Sequence, residues 1–381
     1  MTTTRHSSRR RNLRRSGAAG AALLLFGVLG ADTEAQIGPY PIPWPTQEWS
    51  TSPPAARGQN EARLRELVAL IADNEQFPDL HSLLVVRNGY LVVEEYFAGH
   101  DAEQLHTLQS VTKSFTSAAI GIAIAQGKLE GVREPVLGFF PDLADIEHVD
   151  DRKRAMTLED LLTMRSGTDY HEHGPDSPHY QLNELSHGWT EFVLSRPMVA
   201  DPGTRFQYDS GGVILMSAIL KSRTGEHADT WLDENLFAPL GITRSSLSRN
   251  AEGHPHTGGG LGLRPRDMAR FGLLYLQGGR WDGRQVVPEG WVEASWARHH
   301  VFGGDSSPWI GYGYLWWILE PDPQGDGQTD IFAACGAHGQ YIFVIPEHAM
   351  VVVVTGGTTN NDDENAPIGF LYSHVLPAVE R

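Results

Sequence analysis

The sequence has little cysteine, more acidic than basic residues and no long apolar run. Its single cysteine, Cys335, excludes a disulfide within the chain. The apolar stretch at residues 18–31 is too short to cross a bilayer as a helix. Lysine and arginine together number 30 against 47 acidic residues, which gives a net charge of −17. We therefore expect no nucleic-acid or anionic-membrane partner.

Residues 1–35 have the layout of a cleavable export signal. Six arginines precede an apolar run, and small or polar residues follow, with cleavage expected after Ala31 or Ala35. Residues 8–14 also resemble a bacterial twin-arginine signal, with ordinary unfolded export as the alternative. A chain without this segment has 24 basic and 45 acidic residues, a net charge of −21. The sequence thus predicts an exported, periplasmic or secreted protein without a membrane anchor.

The rest of the chain has the pattern of one mixed α/β domain. Residues 36–58 are rich in proline, which favours an extended arm, and residues 59–381 are expected to form the domain. Asn88-Gly89 lies between two β-rich runs and predicts a tight hairpin, and two further β-rich runs lie near the C-terminus. The middle, roughly residues 130–300, has helical patterns. These elements predict an α+β fold, with an antiparallel sheet built from both ends of the chain, flanked by helices, and a mostly helical inserted subregion.

A possible nucleophile stands at the start of a predicted helix. Ser110-Val111-Thr112-Lys113 is an S-x-x-K pattern, and one helical turn brings its serine and lysine onto the same face. A serine hydroxyl is a weak nucleophile that needs a neighbour to accept its proton. Alone, the pattern also fits a capping serine with a surface lysine. The small-residue apolar helix that follows Lys113 favours the first interpretation, because the motif leads into a core element.

The sequence from residue 110 to 115 resembles the nucleophile segment of the class C β-lactamase-like group. This group includes penicillin-binding D-alanyl peptidases, related serine esterases and 6-aminohexanoate-dimer hydrolases. The resemblance continues in order through residues 161–167, the tyrosine motif at 201–210, the glycine-rich stretch at 258–271 and a strand motif at 336–341. Together these segments cover roughly residues 60 to 375. The resemblance implies a β-lactamase/transpeptidase-like fold.

The resemblance also implies roles for individual residues. Ser110 would attack a carbonyl to form an acyl-enzyme, with Lys113 and Tyr208 transferring the proton and either one serving as the base. A nearby ammonium would stabilise the Tyr208 phenolate near neutral pH, although a core tyrosine with a satisfied hydroxyl is the alternative. The backbone N–H groups of Ser110 and Ala337 would hold the oxyanion. The implied substrate is a small ester or amide.

Two departures from the family pattern bear on the substrate. Ser210 stands where β-lactamases and D-alanyl peptidases usually carry asparagine, and residues 336–339 replace their Lys-Thr-Gly. Without that lysine, a substrate carboxylate loses a charge-assisted contact, so uncharged esters or amides are expected. This places the sequence nearest the esterase and 6-aminohexanoate-dimer hydrolase branch. A D-alanyl peptidase or β-lactamase is the alternative, and a cell-wall-binding module without turnover is a third interpretation.

Further residues are candidates for substrate binding, namely Tyr170, Ser210, Gly336 and His338. For Tyr170 the alternative is a surface aromatic on a loop, and for His338 it is a turn cap. The His-rich segments at residues 171–173 and 254–256 lack the spacing of a helical zinc motif. We therefore expect neither a metal nor another cofactor.

Overall fold

The computed structural model describes residues 42–143, 146–174, 176–303, 308–325, 327, 329–360 and 364–380. The predicted export signal and the first residues of the proline-rich arm lie outside these ranges. The described part of the arm holds a short 3₁₀ turn, Pro54–Arg57, and Thr51 forms a single bridge to Leu91. No helix of the described residues is long and apolar enough to cross a membrane.

Strands from the two ends of the chain enclose a middle section that contains most of the helices. The strands are β1 Leu80–Arg87, β2 Tyr90–Tyr96, β3 His106–Thr107, β4 Ser246–Leu247, β5 Leu261–Leu263, β6 Arg280–Trp281, β7 Arg284–Gln285, β8 His300–Val301, β9 Trp309–Tyr312, β10 Trp317–Leu319, β11 Ile331–Gly336, β12 Gln340–Ile345 and β13 Met350–Gly356. The helices are α1 Glu61–Asp73, α2 Thr112–Ala125, α3 Asp151–Ala155, α4 Leu158–Leu162, α5 Pro178–Glu184, α6 Trp189–Leu194, α7 Ser210–Thr224, α8 Ala228–Leu232, α9 Ala238–Leu240, α10 Pro265–Leu276, α11 Glu289–Trp296 and α12 Ala366–Phe370.

The main sheet has the strand order β2-β1-β13-β12-β11-β10-β9-β8, and its neighbouring strands are antiparallel. Strands from the two chain ends therefore meet where β1 pairs with β13, and the helix-rich middle is inserted between them. The predicted hairpin connects β1 and β2, with positive φ angles of 51° at Asn88 and 79° at Gly89, as a type I′ turn requires. The predicted α+β fold is confirmed.

Both faces of the central strands are covered. On β1, Leu84 and Val86 belong to the core that contains α2, α7 and α10, whereas Leu83 and Val85 face the core formed with α1 and the C-terminal helices. Helix α10 lies close to the sheet, because a Cβ at its Gly272 would stand 2.5 Å from a methyl of Val351. Two-sided burial explains the uninterrupted apolar runs at residues 83–86 of β1 and 350–354 of β13.

Candidate active site

The predicted nucleophile lies in a short turn that leads directly into α2. Ser110 belongs to the 3₁₀ turn Gln109–Val111, which runs directly into α2, and Gln109 has a positive φ of 48°. The first turn of α2 is tied to the start of β5, since the Thr112 hydroxyl accepts a hydrogen bond from the Leu261 N–H at 3.1 Å. Ser110 therefore stands at the positive end of the α2 dipole, on a short and well-anchored segment.

Lys113 lies one helical turn after Ser110, as the S-x-x-K spacing predicts. Its Nζ is 2.8 Å from the Ser110 Oγ and donates to the Gly258 carbonyl at 2.6 Å. The side chain is only 1% exposed. Burial lowers the pKa of Lys113 to about 8, against the opposing charges of Glu172 and Asp209. A substantial fraction of neutral amine is thus present near neutral pH, which is the form that can accept a proton.

Tyr208 packs beside this pair. The Lys113 Nζ lies 4.9 Å from the centroid of the Tyr208 ring, and this ring also stacks against Trp317 with centroids 5.7 Å apart. Burial raises the pKa of Tyr208 well above its ordinary value, while a hydrogen bond with Ser110 opposes the rise. Burial thus favours the neutral hydroxyl of Tyr208 over the phenolate that the sequence analysis expected.

Asp209, the residue after Tyr208, holds the start of α7 in place. Asp209 caps α7 by accepting a hydrogen bond from the Gly212 N–H at 2.8 Å, and it accepts a second from the Ser166 hydroxyl at 2.9 Å. Burial raises the pKa of Asp209 to about 6, although both hydrogen bonds favour its charged form. Its fixed carboxylate orients the start of α7, and with it both Tyr208 and Ser210.

The end of β11 lies directly against the nucleophile turn. A Cβ at Gly336 would stand 2.4 Å from the Leu108 carbonyl oxygen and 3.0 Å from the Ser110 nitrogen, so only glycine fits here. Ala337 follows at the start of the turn to β12 and lines the same cavity as Ser110. Gly336 thus acts through close backbone approach, which brings the segment carrying the Ala337 N–H beside Ser110.

A cavity of about 310 Å³ opens above Ser110. Its walls come from loops that are far apart in the sequence, and they are mostly polar. The lining residues are Gln109, Ser110, Glu172, His179, Asn183, Ser210, Ser248, His256, Gly258, Gly259, Gly260 and Ala337. Burial lowers the pKa of His256 to about 4 and also lowers that of His179, so both imidazoles are neutral near pH 7. Among these described lining residues, Glu172 is the carboxylate and none is lysine or arginine.

The predicted substrate-binding residues do not all reach this cavity. Ser210 lines it, and its N–H donates to the Glu172 carboxylate at 2.8 Å. Tyr170 is fully buried, so the alternative of a surface aromatic is wrong, and its hydroxyl contacts the cavity residue His179 at 3.2 Å. His338 is not among the residues that line the cavity, and its Nδ1 is 2.7 Å from the Thr358 carbonyl oxygen.

Three cavity residues, Glu172, His179 and His256, are absent from the predicted site. Glu172 and His256 lie in the His-rich segments at residues 171–173 and 254–256, and His179 is on α5. These segments do not predict the site, because only the folding of separate loops brings the three residues together.

This geometry agrees with comparisons to known proteins. The beta-lactamase family model matches residues 65–370, which is most of the chain. The protein therefore belongs to the beta-lactamase family, as the resemblance implied, and is a hydrolase of that fold.

Individual relatives carry several activities. The chain is 28% identical to the 6-aminohexanoate-dimer hydrolase of Paenarthrobacter ureafaciens, covering 81% of each chain. It is 24% identical to a putative D-alanyl-D-alanine carboxypeptidase of Escherichia coli (strain K12), covering 73% of this chain and 64% of that protein. A solved structure, a putative 6-aminohexanoate-dimer hydrolase from Bacillus anthracis, superimposes with a TM-score of 0.69 at 21% identity, covering 89% of this chain and 88% of that one. The last likeness supports the fold alone.

Proposed function

We propose that this protein is a serine hydrolase that cleaves carboxylic esters or amides through an acyl-enzyme on Ser110. The observation that carries the proposal is the buried Lys113 amine, 2.8 Å from the Ser110 hydroxyl at the floor of the cavity. A neutral amine at this distance can take the hydroxyl proton as Oγ attacks the substrate carbonyl. We assign the base to Lys113 rather than Tyr208, because burial favours the neutral form of both side chains and only neutral lysine is basic.

The remaining steps use groups around the same point. The tetrahedral oxyanion is held by the N–H groups of Ser110 and Ala337. The Tyr208 hydroxyl passes a proton to the departing alcohol or amine as its bond to the carbonyl carbon breaks, and it is reprotonated from Lys113. Water then enters, and neutral Lys113 takes a proton from it as its oxygen attacks the acyl carbonyl carbon. The bond to Ser110 Oγ then breaks, Lys113 returns the proton to Oγ, and the acid and the free serine hydroxyl result.

The charge of the cavity favours the binding of neutral or amine-bearing substrates. The Glu172 carboxylate faces the cavity, and the described lining residues offer no lysine or arginine to pair with an anion. An anionic substrate would lose its water shell beside a like charge and gain no charge-assisted partner. This favours an ester or amide hydrolase over a β-lactamase or D-alanyl peptidase, whose substrates carry a carboxylate.

The test is turnover of p-nitrophenyl esters, a linear aminohexanoate dimer whose terminal carboxylate is converted to an amide, and nitrocefin by the purified protein and by Ser110→Ala. The exposed Ser186 provides the matched control, Ser186→Ala. We expect ester or amide cleavage that disappears in Ser110→Ala and persists in Ser186→Ala, with nitrocefin unchanged. Nitrocefin opening would indicate a β-lactamase, whereas silence on every substrate would favour a binding module. Unaltered turnover in Ser110→Ala would refute the mechanism.

A further inference from the structure

Three histidines that the proposed reaction does not use lie together beside β1. His81 is on β1, His100 follows β2, and His106 is on β3. Each offers one ring nitrogen, and these three nitrogens lie within 4.8 Å of one another. The ring of His100 stacks on that of His81, with centroids 3.7 Å apart and planes 15° from parallel. The three histidines belong to neither His-rich segment considered in the sequence.

Hydrogen bonds on the outer side of two rings determine where their lone pairs point. The Nδ1 of His106 lies 3.0 Å from the Thr107 carbonyl oxygen, and the Nε2 of His81 lies 3.3 Å from an Asp79 carboxylate oxygen. Both oxygens can only accept, so each of these nitrogens carries the hydrogen. The other nitrogens, Nδ1 of His81 and Nε2 of His106, then both present lone pairs, and they stand 2.8 Å apart.

Two facing lone pairs at this distance repel each other unless a cation lies between or beside them. Imidazoles oriented by an outer carboxylate or backbone carbonyl are the usual arrangement around a protein-bound metal ion. The site is also closely packed, since a Cβ at Gly357 would stand 2.6 Å from the His81 ring.

We propose that His81, His100 and His106 bind a divalent transition metal ion, with zinc as the best-suited ion, and that Asp79 orients His81 from the outer side. Three imidazoles provide a common ligand set for Zn²⁺ at about 2.0–2.1 Å, with a fourth tetrahedral position left for water. The three nitrogens already lie within 4.8 Å of one another, and rotation of the stacked His100 ring would let all three face one ion. The bound ion would join β1 to β3, four residues before Ser110, and so stabilise the segment that carries the nucleophile.

The test uses the full chain without a histidine tag, treated with a chelator and then freed of it. Titration with zinc chloride in a calorimeter, with metal analysis after dialysis, gives the stoichiometry and affinity. We expect one zinc ion per chain in the wild type and in the exposed control His187→Ala, and loss of this binding in His100→Ala. Asp79→Asn should weaken binding about ten- to hundredfold, since it removes only the outer carboxylate charge.

A second measurement reports on stability. Zinc at a hundredfold excess over its dissociation constant should raise the Tm of the wild type by about 4 °C and leave His100→Ala unchanged. Far-UV circular dichroism establishes that His100→Ala remains folded. Absence of saturable zinc binding in the wild type, or equal binding in His100→Ala, would overturn the proposal. Absence of zinc binding would mean that a proton shared by His81 Nδ1 and His106 Nε2 removes the repulsion between their lone pairs.

Discussion

The assignment of Lys113 as the base predicts the pH dependence of hydrolysis. At its pKa of about 8, about one Lys113 side chain in ten is neutral at pH 7. A lysine with the ordinary pKa of 10.5 would be neutral in only about one molecule in 3,000. Burial thus raises the population of the basic form about 300-fold, which corresponds to about 3 kcal/mol. We expect kcat/KM to increase about tenfold per pH unit below pH 8 and to level off above it.

The assay is p-nitrophenyl ester hydrolysis between pH 6 and 9.5. Lys113→Met, which keeps the length and apolar stem of the side chain, should lower kcat/KM by about a thousandfold, as is typical for loss of a general base. The exposed Lys128 gives the matched control, and Lys128→Met should retain both the rate and the pH profile. A rate independent of pH across this interval, or an active Lys113→Met, would refute the assignment.

Three further substitutions probe the surroundings of the nucleophile. Tyr208→Phe retains the stack on Trp317 but removes the proton donor. The kcat should therefore decrease about a hundredfold with little change in KM, and a hundredfold increase in KM at unchanged kcat would contradict this role. Gly336→Ala places a methyl 2.4 Å from the Leu108 carbonyl oxygen, and steady-state kinetics should report at least a tenfold loss of kcat, whereas full activity would argue against the close approach. Glu172→Gln should improve kcat/KM for an ester with an anionic acyl group about tenfold relative to its neutral analogue, and an unchanged ratio would contradict the charge argument.

The parts of the fold and site that depend on local sequence could be predicted. Ser110 and Lys113 are three residues apart at a helix start, so helical geometry alone brings their side chains into contact. Asn88-Gly89 adopts the positive φ angles that few other residue pairs tolerate, and the hairpin follows from that preference. The pairing of strands from the two ends followed from their apolar runs and from the helical patterns between them.

The parts that depend on contacts between distant segments could not be predicted. Tyr170 is buried because Gly211 has no side chain to exclude it, since a Cβ there would stand 2.5 Å from the Tyr170 ring. Nothing in the sequence around Tyr170 indicates this partner. Likewise, the His81 and His106 rings meet across two strands of different sheets. Their 25-residue separation matches no local metal motif.

The position of β13 has a consequence for how the chain is made. This strand lies inside the main sheet, between β1 and β12, although the helix-rich middle of the chain separates it from β1. During synthesis, β1 emerges early with apolar side chains on both faces, and the strand that pairs with its inner edge is translated more than 260 residues later. Such long-range pairing folds slowly, and an unpaired apolar edge invites aggregation. Nascent chains stopped before β13 should therefore depend on chaperones to remain soluble.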